Sequence, residues 1–172
     1  MVLFITKYKI FLCGLDNSGK TSILNLIKKL PNPGDTSPTI RFQIDDAIIK
    51  KIEFVIWDAP GQVIYRDKWK DNTIGTQIFC FILDIQDPER FEEAKGVLDD
   101  ILNEEENANI PIVFCFHKID IPDGKKNIPP AKDMFNPESM KDRLLHYLET
   151  SIMNPDSILK LEELFVKIIE DK

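Results

Sequence analysis

The sequence predicts an α/β fold in which a mostly parallel sheet is covered by helices on both faces. Short apolar runs of strand length alternate with longer segments of helical period, which is typical of strands joined by crossover helices. The 172 residues, of which 43% are hydrophobic and 30% charged, have the length and composition of an ordinary soluble domain. We therefore expect residues 1–172 to form a single domain, with its ligand site at the carboxyl ends of the strands.

The first third of the chain supplies predicted strands and one helix. Residues 8–13 form an apolar run with branched and aromatic side chains, which indicates a buried strand. Residues 21–30 carry apolar side chains at helical spacing, and Leu30 is the last of the inward-facing set. Two further strands, separated by a short turn that indicates a hairpin, are predicted at residues 42–48 and 51–57.

The remainder of the chain continues the alternation. Apolar residues between 91 and 101 recur at helical spacing, and the last helix is expected at residues 157–169. The proline-rich residues 121–137 predict an irregular loop. Further strands are predicted at residues 78–84 and 112–116 and just before Thr150.

The negative charge of the chain is local. Acidic residues outnumber basic ones by 29 to 22, but nine acids and two bases fall within residues 86–106. We expect a solvated helix face there, and a docking face for a basic partner is the alternative. No basic stripe occurs elsewhere, which argues against nucleic-acid binding. Cys13, Cys80 and Cys115 lie within apolar runs, as expected for reduced core residues of a cytoplasmic protein.

The strongest motif is GLDNSGKT at residues 14–21, which fits G-x-x-x-x-G-K-[ST] between a strand and a helix. Its glycines let the backbone curl so that successive N–H groups face an anion, and the helix adds its positive end. We expect Lys20 to reach the β- and γ-phosphates of a nucleotide and Thr21 to bind Mg²⁺. The predicted phosphate-site residues are Asp16, Asn17, Ser18, Gly19, Lys20, Thr21 and Ser22.

Two further segments place candidate ligands beside the phosphates. Asp58 follows an apolar strand, so its carboxylate emerges beside the phosphate loop and can hold Mg²⁺. Gly61 offers an unhindered N–H to a γ-phosphate, and Gln62 can orient a water molecule. Gln62 and Lys20 are therefore the candidate catalytic residues. Thr39 lies in a loop before the second strand and can add a second hydroxyl to the metal.

A base-binding signal, His-Lys-Ile-Asp, closes the strand predicted at residues 112–116. A carboxylate at Asp120 can accept hydrogen bonds from N1–H and the 2-amino group of guanine, and adenine lacks both donors. We expect His117 and Lys118 to line the same site. Ser151 and Ile152 could supply a backbone N–H to the guanine oxygen. These residues predict GTP or GDP as the ligand.

These motifs resemble those of the Ras-like small GTPases along nearly the whole chain. The phosphate loop is similar to the GLDxAGKT of the Arf/Arl branch. Residues 38–40, residues 57–58 and Trp69 are also Arf-like, and Trp69 is expected in the helix that follows. In the last third, HKID at residues 117–120 resembles the HKMD of Rag GTPases, and residues 150–152 resemble the Rag TSI. The resemblance implies a P-loop NTPase fold, a six-stranded sheet with five helices, and a Mg²⁺-dependent GDP/GTP switch. It also implies activator, exchange and effector proteins, with a roadblock-type partner by analogy to the Rag proteins.

The sequence departs from the family at three places. Pro60 replaces the first glycine of Gly-Gly-Gln, and proline has no N–H and a fixed φ, which predicts a stiffer switch. Arg41 replaces the glycine that Arf proteins carry after Pro-Thr-Ile. Val2 stands where Arf proteins carry a myristoylated glycine, and we find no C-terminal CaaX and no apolar run of membrane-spanning length. We therefore expect a cytoplasmic protein without a direct membrane anchor, recruited to membranes by a partner.

Two functions remain open. The first is a switch that hydrolyses GTP, slowly because Ser37 stands where some relatives carry a catalytic arginine. The second is a nucleotide-loaded interaction module with little or no hydrolysis. Gln62 favours the first and Pro60 the second. A nucleotide kinase would need an arginine-rich lid, and the chain between Asp58 and His117 contains two arginines.

Overall fold

The computed structural model describes residues 6–135 and 143–172. Within them, six strands form one sheet: β1 (Tyr8–Cys13), β2 (Gln43–Ile49), β3 (Ile52–Asp58), β4 (Thr76–Asp84), β5 (Ile112–His117) and β6 (Leu145–Thr150). Their order is β2-β3-β1-β4-β5-β6; β2 and β3 pair antiparallel, and the other neighbouring pairs are parallel. The predicted six-stranded, mostly parallel sheet is confirmed.

Helices cover both faces of this sheet, as predicted. The α-helices of the described residues are α1 (Lys20–Ile27), α2 (Phe91–Leu102), α3 (Ile128–Met134) and α4 (Pro155–Glu170). On one face, α2 and α3 pack on an aromatic core that includes Phe81 and Phe114. On the other face, α1 and α4 bury their apolar sides against Ile10 and Ile56. Two cores therefore lie back to back across the sheet.

The carboxyl ends of the parallel strands meet at one edge of the sheet. Leu12, near the end of β1, lies in register with Asp58 at the end of β3. His117 at the end of β5 lies in register with Thr150 at the end of β6. Because these ends are side by side, the loops that follow them surround a single cleft.

The first helix is shorter than predicted. It ends at Ile27, and Leu30 is 42% exposed instead of facing the core. Lys29 adopts the left-handed conformation with φ of 59° and its N–H donates to the carbonyl of Leu26. A left-handed residue is a common way for a helix to end. The helix therefore ends before Pro31 and Pro33 are reached.

Residues 121–137 are not an irregular loop throughout. Residues Gly124–Asn127 form a 3₁₀ turn that leads into α3, and Pro129 and Pro130 lie in the first turn of that helix. Proline is tolerated there because the first backbone N–H groups of a helix have no intrahelical partner. The prolines thus mark the start of a helix. Residues 136–137 lie outside the described residues.

The helix expected to contain Trp69 is absent from the described residues. Two 3₁₀ segments, Val63–Lys68 and Lys70–Asn72, follow β3, and Trp69 lies between them. The described parts of the chain therefore contain four α-helices rather than the five that the family resemblance implies.

The acidic stretch covers α2 and the short segments before and after that helix. Phe91, Ala94 and Leu98 are buried in the core, and the acidic side chains between them point outward. Glu93 and Asp99 form ion pairs with basic side chains. This arrangement agrees with a solvated helix face; docking of a basic partner stays a prediction.

Cys13, Cys80 and Cys115 are fully buried, and their thiols are free. They are core residues, as the apolar runs predicted. Across residues 6–135 and 143–172, no helix combines the length and apolarity needed to cross a membrane.

Candidate nucleotide-binding site

A cavity of about 450 Å³ opens at the carboxyl edge of the sheet, a size within the usual range of small-molecule sites. It lies between the phosphate loop (residues 14–21) and two loops that we name the Thr39 loop (residues 34–41) and the Gly61 turn (residues 59–62). Most of the predicted phosphate-site residues line it. The lining residues are Asp16, Asn17, Gly19, Lys20, Thr21, Ser22, Gly34, Thr36, Ser37, Pro38, Thr39, Gly61, Gln62 and Lys118.

The phosphate loop requires glycine where it enters α1. Gly19 has a φ of 99°, and a Cβ at this position would lie 2.5 Å from Cδ2 of His117. A side chain would therefore be strained and would also clash with the imidazole. Gly19, Lys20 and Thr21, at the start of α1, line the cavity, where an anion site at a helix N-terminus would lie.

Lys20 is held inside the phosphate loop. Its side chain is buried, at 5% exposure, and Nζ donates to the carbonyl of Leu15 at 2.7 Å. Burial lowers the pKa of this ammonium to about 8. The neighbouring Asp58 carboxylate opposes this shift. A nearby phosphate would favour the charged form and raise this pKa again.

Three oxygen-bearing side chains converge beside Lys20. The Thr21 hydroxyl donates to Oδ2 of Asp58 at 2.6 Å and lies 3.0 Å from the hydroxyl of Thr39. Oδ1 of Asp58 is buried and has no hydrogen-bond partner among the described residues. Desolvation raises the pKa of this carboxyl. A hard cation such as Mg²⁺ fits this set, because it prefers oxygen ligands and would compensate the buried carboxylate.

The Gly61 turn touches the phosphate loop through its backbone. The carbonyl of Gly61 accepts from the backbone N–H of Asp16 at 3.1 Å, and a Cβ at Gly61 would lie 2.4 Å from that same nitrogen. Only glycine permits this approach. The carbonyl of Pro60 accepts from Nε1 of the buried Trp69 at 2.9 Å. Gln62, the next residue, lines the cavity as a partly exposed side chain.

His117 packs against the phosphate loop at Gly19. It is 2% exposed, and its Nδ1 lies 2.9 Å from the hydroxyl of Thr150. Burial lowers the pKa of the imidazole to about 4, and the charge of Lys118 adds to this effect. The ring is therefore neutral near pH 7 and packs against Gly19. It does not line the cavity directly.

Asp120 and Ser151 lie together beyond the end of β5. The Ser151 hydroxyl donates to Oδ1 of Asp120 and accepts from the N–H of Met153 at 2.9 Å. One expectation needs correction, because the backbone N–H of Ser151 already donates to the hydroxyl of Ser157 at 3.0 Å. Ile152 therefore remains the candidate donor to a guanine oxygen. Its side chain also faces Gly34, at the start of the Thr39 loop.

Lys118 joins the base and phosphate ends of the site. Its Nζ donates to the backbone carbonyl of Asn17 at 2.7 Å and to Oδ2 of Asp84 at 2.6 Å. Its backbone is left-handed, with φ of 66°. The long side chain thus spans from the end of β5 to the phosphate loop and lines the cavity.

Ser18 differs from its neighbours in the phosphate loop. It is 2% exposed, and its hydroxyl has no partner among the described residues. Since its side chain is turned away from the cavity, a contact with phosphate would have to come from its backbone N–H.

Sequence reasoning missed several residues of the site. Gly34 and Thr36 line the cavity because the Thr39 loop folds over it, and only their nearness to Thr39 could have signalled this. A cluster of charges beside Asp16 was also missed. Its members are Arg66, Arg90 and Glu93.

The fold and the site together define a P-loop nucleotide-binding protein of the small GTPase class. The model of the ADP-ribosylation factor family matches residues 1–169, and the chain belongs to that family. Members of the family bind GTP or GDP together with Mg²⁺, which agrees with the predicted ligands.

Individual relatives support the same assignment. The chain is 31% identical to ADP-ribosylation factor K of Dictyostelium discoideum over 150 residues, 87% of this chain and 79% of that protein. It is 35% identical to ADP-ribosylation factor-like protein 5 of Caenorhabditis elegans over 117 residues, 67% of this chain and 65% of that protein.

Among solved structures, the chain resembles the Arl6 (BBS3) small GTPase from Trypanosoma brucei, determined with the bound nucleotide analogue GppNp. The TM-score is 0.80 at 20% identity, and the match covers 96% of this chain and 97% of that one. This confirms the predicted small GTPase fold. The Arf/Arl resemblance of the sequence is thus confirmed, and its Rag-like features stay a prediction.

Proposed function

We propose that the chain is a GDP/GTP switch that slowly hydrolyses GTP to GDP and phosphate with Mg²⁺. The observation that carries this proposal is the convergence of Thr21, Thr39 and Asp58 beside the buried Lys20. Those residues come from the phosphate loop, the Thr39 loop and β3, and their oxygen atoms suit a metal bound to a triphosphate. Bound there, Mg²⁺ would neutralise charge on the phosphates.

Each remaining residue has a part in the proposed reaction. Gln62 orients a water whose oxygen forms the new bond to the γ-phosphorus as the bond to the β–γ bridging oxygen breaks. The Lys20 ammonium stabilises the negative charge that collects on the leaving diphosphate. Asp120, aligned by the hydroxyl of Ser151, accepts the two guanine donors.

Slow hydrolysis is supported by the positions of the arginines. No arginine is among the described residues that line the cavity, and Arg41 is exposed. The guanidinium groups of Arg66 and Arg90 are already paired with carboxylates. We therefore expect an intrinsic rate of about 10⁻⁴ to 10⁻³ s⁻¹, which an activator's arginine would raise by about 10³ to 10⁵. Exchange, effector and roadblock-type partners belong to the same proposal, as does recruitment to membranes from the cytoplasm.

The second candidate is an interaction module that binds nucleotide without hydrolysing it. Pro60 favours it, because this residue has no N–H and its carbonyl is fixed by Trp69. Single-turnover GTP hydrolysis, with the Gln62→Leu variant as the comparison, separates the two. A wild-type rate equal to that of Gln62→Leu would favour the module.

Guanine selectivity tests the nucleotide assignment itself. Two charge-assisted hydrogen bonds, each worth about 1.5 to 3 kcal/mol, should give a preference for GDP over ADP of about 10² to 10⁴. Asp120→Asn should shift the preference toward xanthosine diphosphate, whose 2-oxo group needs a donor opposite. Affinities of the three diphosphates for both proteins measure this. Equal binding of GDP and ADP by the wild type would refute the assignment.

A further inference from the structure

Four charged side chains beside the cavity form one closed cluster. Asp16 belongs to the phosphate loop, Arg66 follows the Gly61 turn, and Arg90 and Glu93 lie at the start of α2. We name this set the arginine–carboxylate cluster. Each guanidinium contacts both carboxylates, so three separate parts of the chain are joined at one point.

Arg66 is the member that touches the Gly61 turn. Its Nε donates to the carbonyl of Gly61 at 2.6 Å, Nη1 donates to Glu93 at 2.7 Å, and Nη2 donates to Asp16 at 3.2 Å. Its side chain is only 9% exposed. All three nitrogens of the guanidinium are therefore engaged.

Arg90 completes the cluster from α2. Its Nη2 donates to Oδ1 of Asp16 at 2.8 Å and its Nε donates to Oε2 of Glu93 at 2.8 Å. These contacts lower the pKa of Glu93 to about 2, with the hydrogen bond from Arg90 as the largest cause. Asp16, which also lines the cavity, has a lowered pKa mainly because of Arg90. Both carboxylates thus stay ionised and keep Arg66 in place near neutral pH.

We propose that Arg66 is a positioning residue, which holds the Gly61 turn against the phosphate loop and so presents Gln62 to the cavity from a fixed backbone. The benefit for hydrolysis rests on the proposed function. Positioning of this kind matters because displacement of a reacting group by about 1 Å can cost about 10²-fold in rate.

The geometry separates positioning from direct catalysis. A catalytic arginine would have to reach the phosphates, and Arg66 could do so only by giving up its bonds to Gly61, Asp16 and Glu93. Those bonds are charge-assisted or buried, and each is costly to lose. Arg66 therefore acts through the turn and not on the reacting atoms.

The test compares Arg66→Ala, Arg66→Lys and Glu93→Gln with the wild type and with Arg143→Ala. Arg143 is the control, because it is another arginine whose guanidinium donates to backbone carbonyls, those of Leu102 and Asn107, but it precedes β6 at the opposite edge of the sheet. The readouts are single-turnover GTP hydrolysis, GDP affinity, and amide hydrogen exchange of residues 59–69.

For Arg66→Ala we expect hydrolysis to fall by about 10-fold to 10²-fold, with GDP affinity changed by less than about threefold. Exchange within residues 59–69 should become about tenfold faster or more, because the turn loses a hydrogen bond and its link to two ion pairs. Arg66→Lys should lie between Ala and wild type, since an ammonium can replace one of the three contacts. Glu93→Gln should show a smaller effect in the same direction, and Arg143→Ala should leave hydrolysis and exchange at wild-type values.

Unchanged exchange in Arg66→Ala would overturn the proposal, whatever the hydrolysis rate. Loss of hydrolysis with unchanged exchange would assign Arg66 to direct contact with the phosphates instead. If the wild type binds GTP without hydrolysing it, the proposed hydrolysis fails. The exchange experiment still decides whether Arg66 holds the turn.

Discussion

The two loops that close over the phosphate end of the site are held in very different ways. The Thr39 loop is mostly exposed and reaches the metal-ligand set through one hydroxyl, 3.0 Å from that of Thr21. The Gly61 turn is largely buried, and its two successive carbonyls are bonded to Trp69, Arg66 and the backbone of Asp16. Within residues 6–135 and 143–172, the Thr39 loop is attached through one side chain and the Gly61 turn through its backbone.

This difference suggests a division of labour. A loop attached by one hydroxyl can respond to the ligand that this hydroxyl binds, because few other contacts oppose its release. A turn fixed by several hydrogen bonds can carry a precise catalytic geometry, but it changes little when the ligand changes. We therefore expect the Thr39 loop to differ most between GDP- and GTP-bound forms.

The largest effect is expected from Gly61→Ala, which should separate the Gly61 turn from the phosphate loop. The new Cβ would lie 2.4 Å from the backbone nitrogen of Asp16, so the turn must move off the phosphate loop. Single-turnover hydrolysis should fall by about 10²-fold. Gly96→Ala is the control, because a Cβ there meets nothing within 4 Å. Normal hydrolysis by Gly61→Ala would show that the close approach is not needed.

Thr39→Ala should release the exposed loop. Removal of one oxygen ligand should lower the affinity for Mg²⁺ in the complex with a non-hydrolysable GTP analogue by about 10-fold to 100-fold. The GDP complex should change less, and Thr39→Ser should restore most of the affinity because it keeps the hydroxyl. Magnesium titrations of the three proteins measure this. Equal affinities would remove Thr39 from the metal site.

A pH titration addresses the lysine that both loops enclose. The pKa of Lys20 is lowered to about 8, and bound phosphates favour its charged form. Binding therefore takes up a proton above that pH. Nucleotide affinity should be flat from about pH 7 to 8 and then fall by up to about tenfold per pH unit as the free protein loses this charge. Constant affinity up to about pH 9.5 would contradict the lowered pKa.

The smallest effect on the chemistry is expected from Trp69→Phe. The variant loses the N–H donor to the carbonyl of Pro60 and leaves that oxygen unpaired, at a cost of about 1 to 3 kcal/mol in the free energy of unfolding. Hydrolysis should change by less than the variants above, because Arg66 and Asp16 still hold Gly61. Urea unfolding and single-turnover rates measure the two effects. A stability equal to the wild type would mean that this hydrogen bond contributes nothing.

Much of the fold could be predicted because its signals are local. A buried parallel strand must be apolar along its length, so β1, β4 and β5 are visible as runs of apolar residues. The predicted secondary structure was wrong where the backbone conformation depended on single positions. Lys29 ended α1 in a left-handed turn, and the prolines at 129–130 began a helix where they had suggested a loop.

The candidate site likewise contains residues that local patterns predict and contacts that depend on tertiary packing. Lys20, Thr21 and Asp120 could be predicted because a phosphate loop and a base-binding carboxylate need those residue types at fixed spacings within a few residues. The engagement of the Ser151 amide with Ser157 could not be found, because it depends on how α4 packs behind β6. The contact between His117 and Gly19 likewise could not be predicted, because it depends on how the imidazole ring packs in the folded protein.

The sequence by itself therefore determined the class of fold and predicted the phosphate ligands, the metal ligands and the guanine-binding carboxylate, because each depends on short-range pattern. Only the tertiary structure decided how the two loops are held. Among the described residues, the Thr39 loop is attached through one hydroxyl, whereas the Gly61 turn is held by hydrogen bonds to its backbone carbonyls. The arginine–carboxylate cluster that holds this turn joins Asp16, Arg66, Arg90 and Glu93, which lie up to 77 positions apart along the chain. Nothing in their local sequence requires these charges to meet. They meet because β1, β3 and β4 end side by side at one edge of the sheet.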